Sequence, residues 1–271
     1  MRLSTYIVIY LLYLFFNFFG FVFSELQTNF KDNNFLTLSF LDVGQGDSIL
    51  IDTPNHKTIL VDAGDNFETD VFLSRYFLFK PCRIDVVILT HDHKDHTFGA
   101  ERLLKRCAAP TIFADFSTEF PSKTLHSGTH FKVGGVDFDV LWPPPGLEGS
   151  IDKNRESIVI SMRYYDFNAL LTGDVPGNVL CDLQKRTLNP AVDTPGILKV
   201  SHHGSRDGLC REINPKMAMI SVGEGNKFKH PNAEVIDYYT SIGSQTYRTD
   251  LLGTIQFIYN PQTGSIKMRT L

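Results

Sequence analysis

The sequence predicts an α+β protein, an αββα sandwich of two mixed β-sheets flanked by helices. Three observations predict it. Apolar runs of strand length recur in both halves of the 271 residues, stretches of helical spacing separate them, and potential metal ligands collect where strands end. Hydrophobic residues at 42% supply ample core, and no Pro/Gly/Ser-rich or single-charge linker divides the chain, so one large domain is expected.

In chain order, Phe35 to Leu41 alternates as a strand does, and Gly44 and Gly46 punctuate the turn that follows. Ser48 to Asp52 and Thr58 to Asp62 read as a hairpin across the turn formers Thr53 to Lys57. Val71, Phe72, Tyr76 and Phe79 give Glu68 to Phe79 a helical period, and Pro81 stops it. Ile84 to Leu89 is a nearly continuous apolar strand of the kind buried on both faces. It delivers the chain to Thr90-His91-Asp92-His93-Lys94-Asp95-His96. A helix is expected from Thr97 to Arg106 and a short strand from Thr111 to Ala114. Phe131 to Val133 and Val136 to Leu141 then flank Gly134-Gly135 as a hairpin. Strands at Ser157 to Arg163 and Ala169 to Thr172 precede Gly173-Asp174. A helix from Pro176 to Arg186 leads to a strand from Ile197 to Val200 that ends in Ser201-His202-His203-Gly204-Ser205. The tail alternates again, with a strand from Met217 to Val222, a helix from Ala233 to Ile242, and strands near Thr246 and from Thr254 to Ile258.

The amino terminus differs in kind. Tyr6 to Phe23 is almost uninterrupted Ile, Leu, Phe, Tyr and Val behind Arg2. Residues 1–24 therefore read as a signal peptide, with small residues suited to cleavage before Glu25, or as a membrane anchor over 6–23. Either reading places the body, 25–271, in a secreted or extracytoplasmic setting, with membrane contact only through this segment. Cys82, Cys107, Cys181 and Cys210 lack metal-ligand spacing and allow three disulfide connectivities. Pairing Cys82 with Cys107 and Cys181 with Cys210 is favoured, because each pair brackets one structural unit; four free, buried thiols are the alternative.

A formal charge of −4 without a dense Lys/Arg run argues against affinity by blanket phosphate neutralisation. The chemistry gathers instead at His91 to His96. Imidazole and carboxylate are ligands that Zn²⁺ and similar ions prefer, and the order lets His91 and His93 turn to one ion while Asp95 and His96 reach another. Asp174 and His202-His203 also lie at strand ends, where α/β proteins assemble sites.

Taken with Leu41-Asp42-Val43-Gly44-Gln45-Gly46-Asp47-Ser48, Val61-Asp62-Ala63-Gly64, Leu171-Thr172-Gly173-Asp174, Leu198 to Ser205, His230-Pro231 and Tyr247 to Asp250, this motif resembles the metallo-β-lactamase superfamily. Within it the chain is similar to the C-terminal hydrolase domain of ComEC-type DNA-uptake competence proteins. The resemblance implies the metallo-β-lactamase fold and two divalent ions, Zn or Mn. It puts His91 and His93 on one ion, Asp95 and His96 on the second, Asp174 between them, and His202 completing the second. His203 is expected as a support or substrate contact, and Asp62 as the residue that orients the loop. Asn154 stands where the superfamily usually places a histidine on the first ion. An amide oxygen is a harder ligand, which favours Mn²⁺ or Mg²⁺ there. His126 and His130, the other histidines in reach, read as loop residues.

The implied activity is metal-assisted phosphodiester hydrolysis, with DNA as substrate and Asp95 or Asp174 as the catalytic carboxylate. Ser205, His230 and Arg248 are expected on the substrate phosphate. The alternative is a two-metal hydrolase of a small ester, lactone or amide, since a scaffold does not fix its substrate. No protein partner is predicted.

Overall fold

The computed structural model describes residues 9–18, 35–147, 149–187 and 190–271. Residues 1–33 and 34–271 are separate compact units. In the first, residues 9–18 are helical and exposed, and the rest of the expected targeting or anchor segment lies outside the described residues. No helix among the described residues is long and apolar enough to cross a membrane.

The second unit holds two seven-stranded mixed sheets. The first sheet begins with β1 (Leu36–Phe40), β2 (Ile49–Asp52) and β3 (Thr58–Val61), continues with β4 (Val86–Ile88) and β5 (Ile112–Phe113), and gains β13 (Ile255–Asn260) and β14 (Ser265–Thr270) from the tail. Its order is β14-β13-β1-β2-β3-β4-β5, antiparallel as far as β3 and parallel beyond. The second sheet comprises β6 (His130–Val133), β7 (Val136–Trp142), β8 (Val159–Tyr164), β9 (Phe167–Leu171), β10 (Ile197–Lys199), β11 (Met217–Ile220) and β12 (Gln245–Arg248), in the order β12-β11-β10-β9-β8-β7-β6. There β6 to β9 are antiparallel and β9 to β12 parallel.

Three apolar layers follow from the side-chain alternation. Between the sheets, Leu38, Phe40 and Ile51 of the first meet Phe138, Ile160 and Met162 of the second. Outside the first sheet pack α1 (Glu68–Tyr76) and α2 (Lys94–Arg106), whose Leu73 and Leu103 meet Leu60 and Val87 of the sheet. Outside the second pack α3 (Gly177–Arg186) and α5 (Ala233–Ser241), whose Leu180 and Val235 meet Leu170 and Leu198 of the sheet, with the short α4 (Pro190–Asp193) between them in sequence and α6 (Thr249–Leu252) following β12. This is the αββα sandwich expected.

Local corrections have physical causes. The second helix begins at Lys94 rather than Thr97: His93 is extended as its N-cap, and the Thr97 hydroxyl donates to the His93 carbonyl. Asp95 and His96 therefore lie on a helical first turn, where an acidic side chain complements the helix dipole. The first helix ends at Tyr76, and Phe79, expected inside it, has φ of 61°. Strand β14, not expected from the sequence, is a largely exposed edge carrying Lys267 and Arg269, without an apolar run.

Both favoured disulfides are formed, Cys82–Cys107 and Cys181–Cys210. The first ties the end of α2 to the approach of β4, and the second ties α3 to the segment after His203. Two such bonds suit an oxidising, extracytoplasmic compartment.

Candidate metal centre

The parallel strands aim the site. β4 leads to His91, β9 to Asp174 and β10 to His202 and His203, so the first sheet supplies one half of the centre and the second sheet the other. The Ile158 N–H donates to the Thr90 carbonyl and the His202 N–H to the Gly173 carbonyl, which fixes these loops against one another.

Four donors converge: Asp95, His96, Asp174 and His203, with one ligand atom from each lying within 4.8 Å of the others. His203 Nε2 is 3.2 Å from Asp174 Oδ2 and 3.3 Å from Asp95 Oδ2, and His96 Nε2 is 3.2 Å from Asp174 Oδ2. Ligands about 2.0 Å from a tetrahedral ion are roughly 3.3 Å apart, so these spacings suit one ion. The two Nε2 atoms are buried and make no hydrogen bond, as ligand atoms turned toward a shared ion would be.

The tautomers follow from the outer contacts. The His96 Nδ1–H donates to Asp62 Oδ2 at 2.7 Å, which leaves Nε2 for the cluster. Asp62 also accepts from the Thr90 N–H at 2.8 Å and the Thr90 hydroxyl at 2.7 Å. Burial raises the Asp62 carboxyl, and the His96 charge and these donors work against that. Asp62 thus sits where an orienting residue would. It has φ of 58°, a conformation that Asp and Asn tolerate better than other side chains.

At the neighbouring pair, the Thr90 hydroxyl spends its hydrogen on Asp62, so His91 Nδ1–H is the donor in its 3.1 Å contact with Thr90. His91 Nε2 is then a lone pair, 3.1 Å from His93 Nδ1. Burial, helped by the His96 charge, pushes His91 well below the ordinary imidazole value, so it stays a neutral donor. Asn154 lies in a short 3₁₀ turn, and its Oδ1 is buried without a hydrogen bond. The His91 and His93 pair belongs to no group of three or more convergent His, Cys, Asp or Glu ligands among the described residues.

The structure draws His203, rather than the expected His202, into the cluster. Both have left-handed backbone, with φ of 51° and 56°, and this tight turn swings the second ring inward. The His203 Nδ1–H donates to the Ser221 carbonyl at 2.9 Å and presents Nε2 to Asp95 and Asp174. His202 is 30% exposed, with Nε2 4.0 Å from Asp174.

Asp47 and Lys199 were not among the expected site residues. Lys199 is wholly buried; its Nζ donates to the Gly173 carbonyl at 2.9 Å, contacts Asp174 Oδ1 at 3.3 Å and pairs with Asp47. A lysine within an otherwise apolar strand, and the acid that closes the glycine turn, were the available signals. Burial would lower Lys199, but Asp47 and Asp174 raise it. Burial would raise Asp174, yet His203, His96 and Lys199 hold it well below the carboxylate range. For His96 burial is outweighed by Asp174 and Asp62, which push it up to about 10. Each buried carboxylate of the cluster thus faces a cationic partner, as a buried ionic network requires.

The remaining expected residues lie apart from the four donors. The Ser205 hydroxyl caps a 3₁₀ turn by accepting from the Asp207 N–H. Arg248 forks onto Asp250 through bonds of 3.0 and 2.6 Å, so its guanidinium is already engaged. His230 is partly exposed, its ring 5.7 Å from that of His202. His130 lies on β6, bonded to Asp139, and His126 lies 3.8 Å from Asp115.

A profile of the metallo-β-lactamase superfamily matches residues 41–209, which hold all four donors. The chain belongs to this superfamily. It is similar to ComE operon protein 3 of Bacillus subtilis, 27% identical over 85% of this chain and 34% of that protein. It is also similar to Recombination protein 2 of Haemophilus influenzae and Competence protein ComA of Neisseria gonorrhoeae, each 27% identical over 80% of this chain and 28% and 31% of theirs. The chain spans about a third of the length of these relatives. The metallo-β-lactamase fold protein YhfI of Bacillus subtilis superposes with a TM-score of 0.56 at 11% identity, over 86% of this chain and all of that one. Family and buried His/Asp cluster together describe a metal-dependent hydrolase.

Proposed function

We propose that the protein is a metal-dependent phosphodiesterase that cleaves DNA. The observation that carries this reading is the cluster of Asp95, His96, Asp174 and His203, its imidazole Nε2 atoms turned to the two carboxylates without a hydrogen bond, in a chain whose relatives are named for competence and recombination. An ion held there supplies positive charge that makes water nucleophilic near neutral pH and offsets the charge building on phosphoryl oxygens. Asp95, His96, Asp174 and His203 would hold the tighter ion. His91 and His93, with the amide of Asn154, would hold a second, weaker ion of harder preference, so zinc or manganese suits the pair.

The chain's own groups divide the remaining work. Asp62 fixes the His96 ring and Ser221 fixes the His203 ring. Asp95 is 25% exposed and Asp174 buried with one oxygen on Lys199, so Asp95 is the carboxylate of the cluster that water can reach. His202 and His230, both partly open, would contact phosphate oxygens. Residues 1–24 are read as an export signal or anchor, and the two disulfides support work outside the cytoplasm.

The test is hydrolysis by chelator-stripped protein reloaded with Zn²⁺ or Mn²⁺, on single- and double-stranded DNA, bis(4-nitrophenyl) phosphate and an acyl ester. Metal-dependent cleavage of DNA and the small diester is expected, lost in His96→Ala and Asp174→Ala. Cleavage indifferent to chelation, or turnover of the ester alone, overturns the reading.

A further inference from the structure

Residues 223–231, between β11 and α5, form a loop pinned at both ends to segments that carry the site. At one end the Gly223 N–H lies 3.4 Å from Gln45 Oε1, and a Cβ on Gly223 would come within 2.6 Å of the Gln45 nitrogen. Only glycine lets the loop press so closely on the turn that precedes Asp47. At the other end the Asn232 N–H donates to the Gly204 carbonyl at 2.8 Å, directly after His203. Between the pins Asn226 acts as a staple: its amide donates to the carbonyls of Gly223 and His230 at 2.9 and 2.6 Å and accepts from the His230 N–H at 3.0 Å.

This held loop presents a large apolar ring to water. Phe228 is 51% exposed and stacks on His230, with centroids 5.9 Å apart and planes 17° apart. The row continues inward: His230 to His202 at 5.7 Å, His202 to His203 at 6.1 Å, and His203 to His96 at 5.3 Å. Lys227 Nζ lies 5.0 Å from the centre of the Phe228 ring.

A single exposed phenylalanine on a protein surface requires no explanation. This one is different because its loop is stapled, so the ring is offered without the entropy cost of ordering it, and because a row of rings leads from it to the metal-suited cluster. Stacking and a nearby cation are what single-stranded nucleic acid binding uses, since an unpaired base exposes its face and its phosphate seeks positive charge.

We propose that Phe228, backed by His230 and flanked by Lys227, is a stacking platform for a nucleobase adjoining the scissile phosphate of a single-stranded nucleic acid. The platform rests on the phosphodiesterase reading and adds a strand preference to it. Duplex bases, stacked on each other, have no free face to offer the ring.

The test compares the full chain with Phe228→Ala, Phe228→Leu and Phe228→Trp, Mn²⁺-loaded, on a short oligodeoxythymidine and on bis(4-nitrophenyl) phosphate. Phe228→Ala and Phe228→Leu should raise KM for the oligonucleotide roughly tenfold to a hundredfold, the loss of one stacked base. Phe228→Trp should stay near wild type, and the small diester should be cut equally well by all four. An unchanged oligonucleotide KM in Phe228→Ala, or an equal loss on the small diester, overturns the platform. A wild-type chain that cuts DNA alongside an equally able Phe228→Ala refutes the platform alone, whereas a wild-type chain that cuts no nucleic acid refutes the phosphodiesterase reading beneath it.

Discussion

The His203 Nδ1–H donates to the Ser221 carbonyl at 2.9 Å, and this bond decides which of two consecutive histidines serves the cluster. A carbonyl can only accept, so Nδ1 keeps its proton and Nε2 is the atom that can turn to an ion. His202 lacks such an anchor and stays 30% exposed. His203→Ala should therefore lower affinity for an ion at the cluster by about a hundredfold, while His202→Ala keeps it within a few-fold and loses turnover instead. Metal titration of the stripped proteins separates the two, and loss of metal from His202→Ala with retention in His203→Ala would reverse the assignment.

Asp62 should act through His96. In Asp62→Asn the left-handed backbone is still tolerated, but an amide facing His96 Nδ1 removes the charged acceptor that fixes the ring. A fall of about 10- to 100-fold in metal affinity is expected, with unchanged secondary structure by circular dichroism. Equal affinity in the variant would remove Asp62 from the site.

Metal uptake should release protons. Asp174 and Asp62 push His96 up to about 10, and His203 is raised well above the ordinary imidazole value, burial being outweighed in both. Below those values an incoming ion must displace a proton from each ring, so affinity rises with pH, by about tenfold per unit for each proton displaced, and levels off as His96 titrates. Calorimetry in buffers of different ionisation enthalpy counts the protons. A pH-independent affinity between 7 and 9 would contradict the protonated cluster.

Lys199 should matter to the fold before it matters to chemistry. Lys199→Met takes one buried cation from Asp47 and Asp174, leaving them only His96 and His203, at a cost of up to about 3–5 kcal/mol. Adding Asp47→Asn removes one of the stranded charges and should recover part of the loss in thermal melting. No recovery in the double variant would mean that the cost lies elsewhere.

The fold was legible because strand and helix periods rarely conflict here: the buried five-residue β1 and the amphipathic α2 announce themselves. The polar edge strand β14 did not, since its side chains alternate without a buried face. In the site, residue types were readable and directions were not. His91, His93, Asp95, His96 and Asp174 stand out as ligand chemistry, but choosing His203 over His202 needs the two left-handed residues at φ of 51° and 56°. Lys199 and Asp47 were hidden for a related reason: a pair 152 positions apart in sequence is visible only once β10 lies beside the turn after β1. Ser205 and Arg248 looked available in sequence, whereas local bonds to Asp207 and Asp250 already claim them.

The division of the cluster between two sheets has a consequence for the order of events in the molecule's life. Asp95 and His96 arrive with the first sheet, Asp174 and His203 with the second. Neither pair alone supplies all four donors, so the complete cluster is offered to an ion only once the two sheets have met. Catalytic competence comes only with the closing of the sandwich, and the finished tertiary structure serves as the licence for its own reactivity.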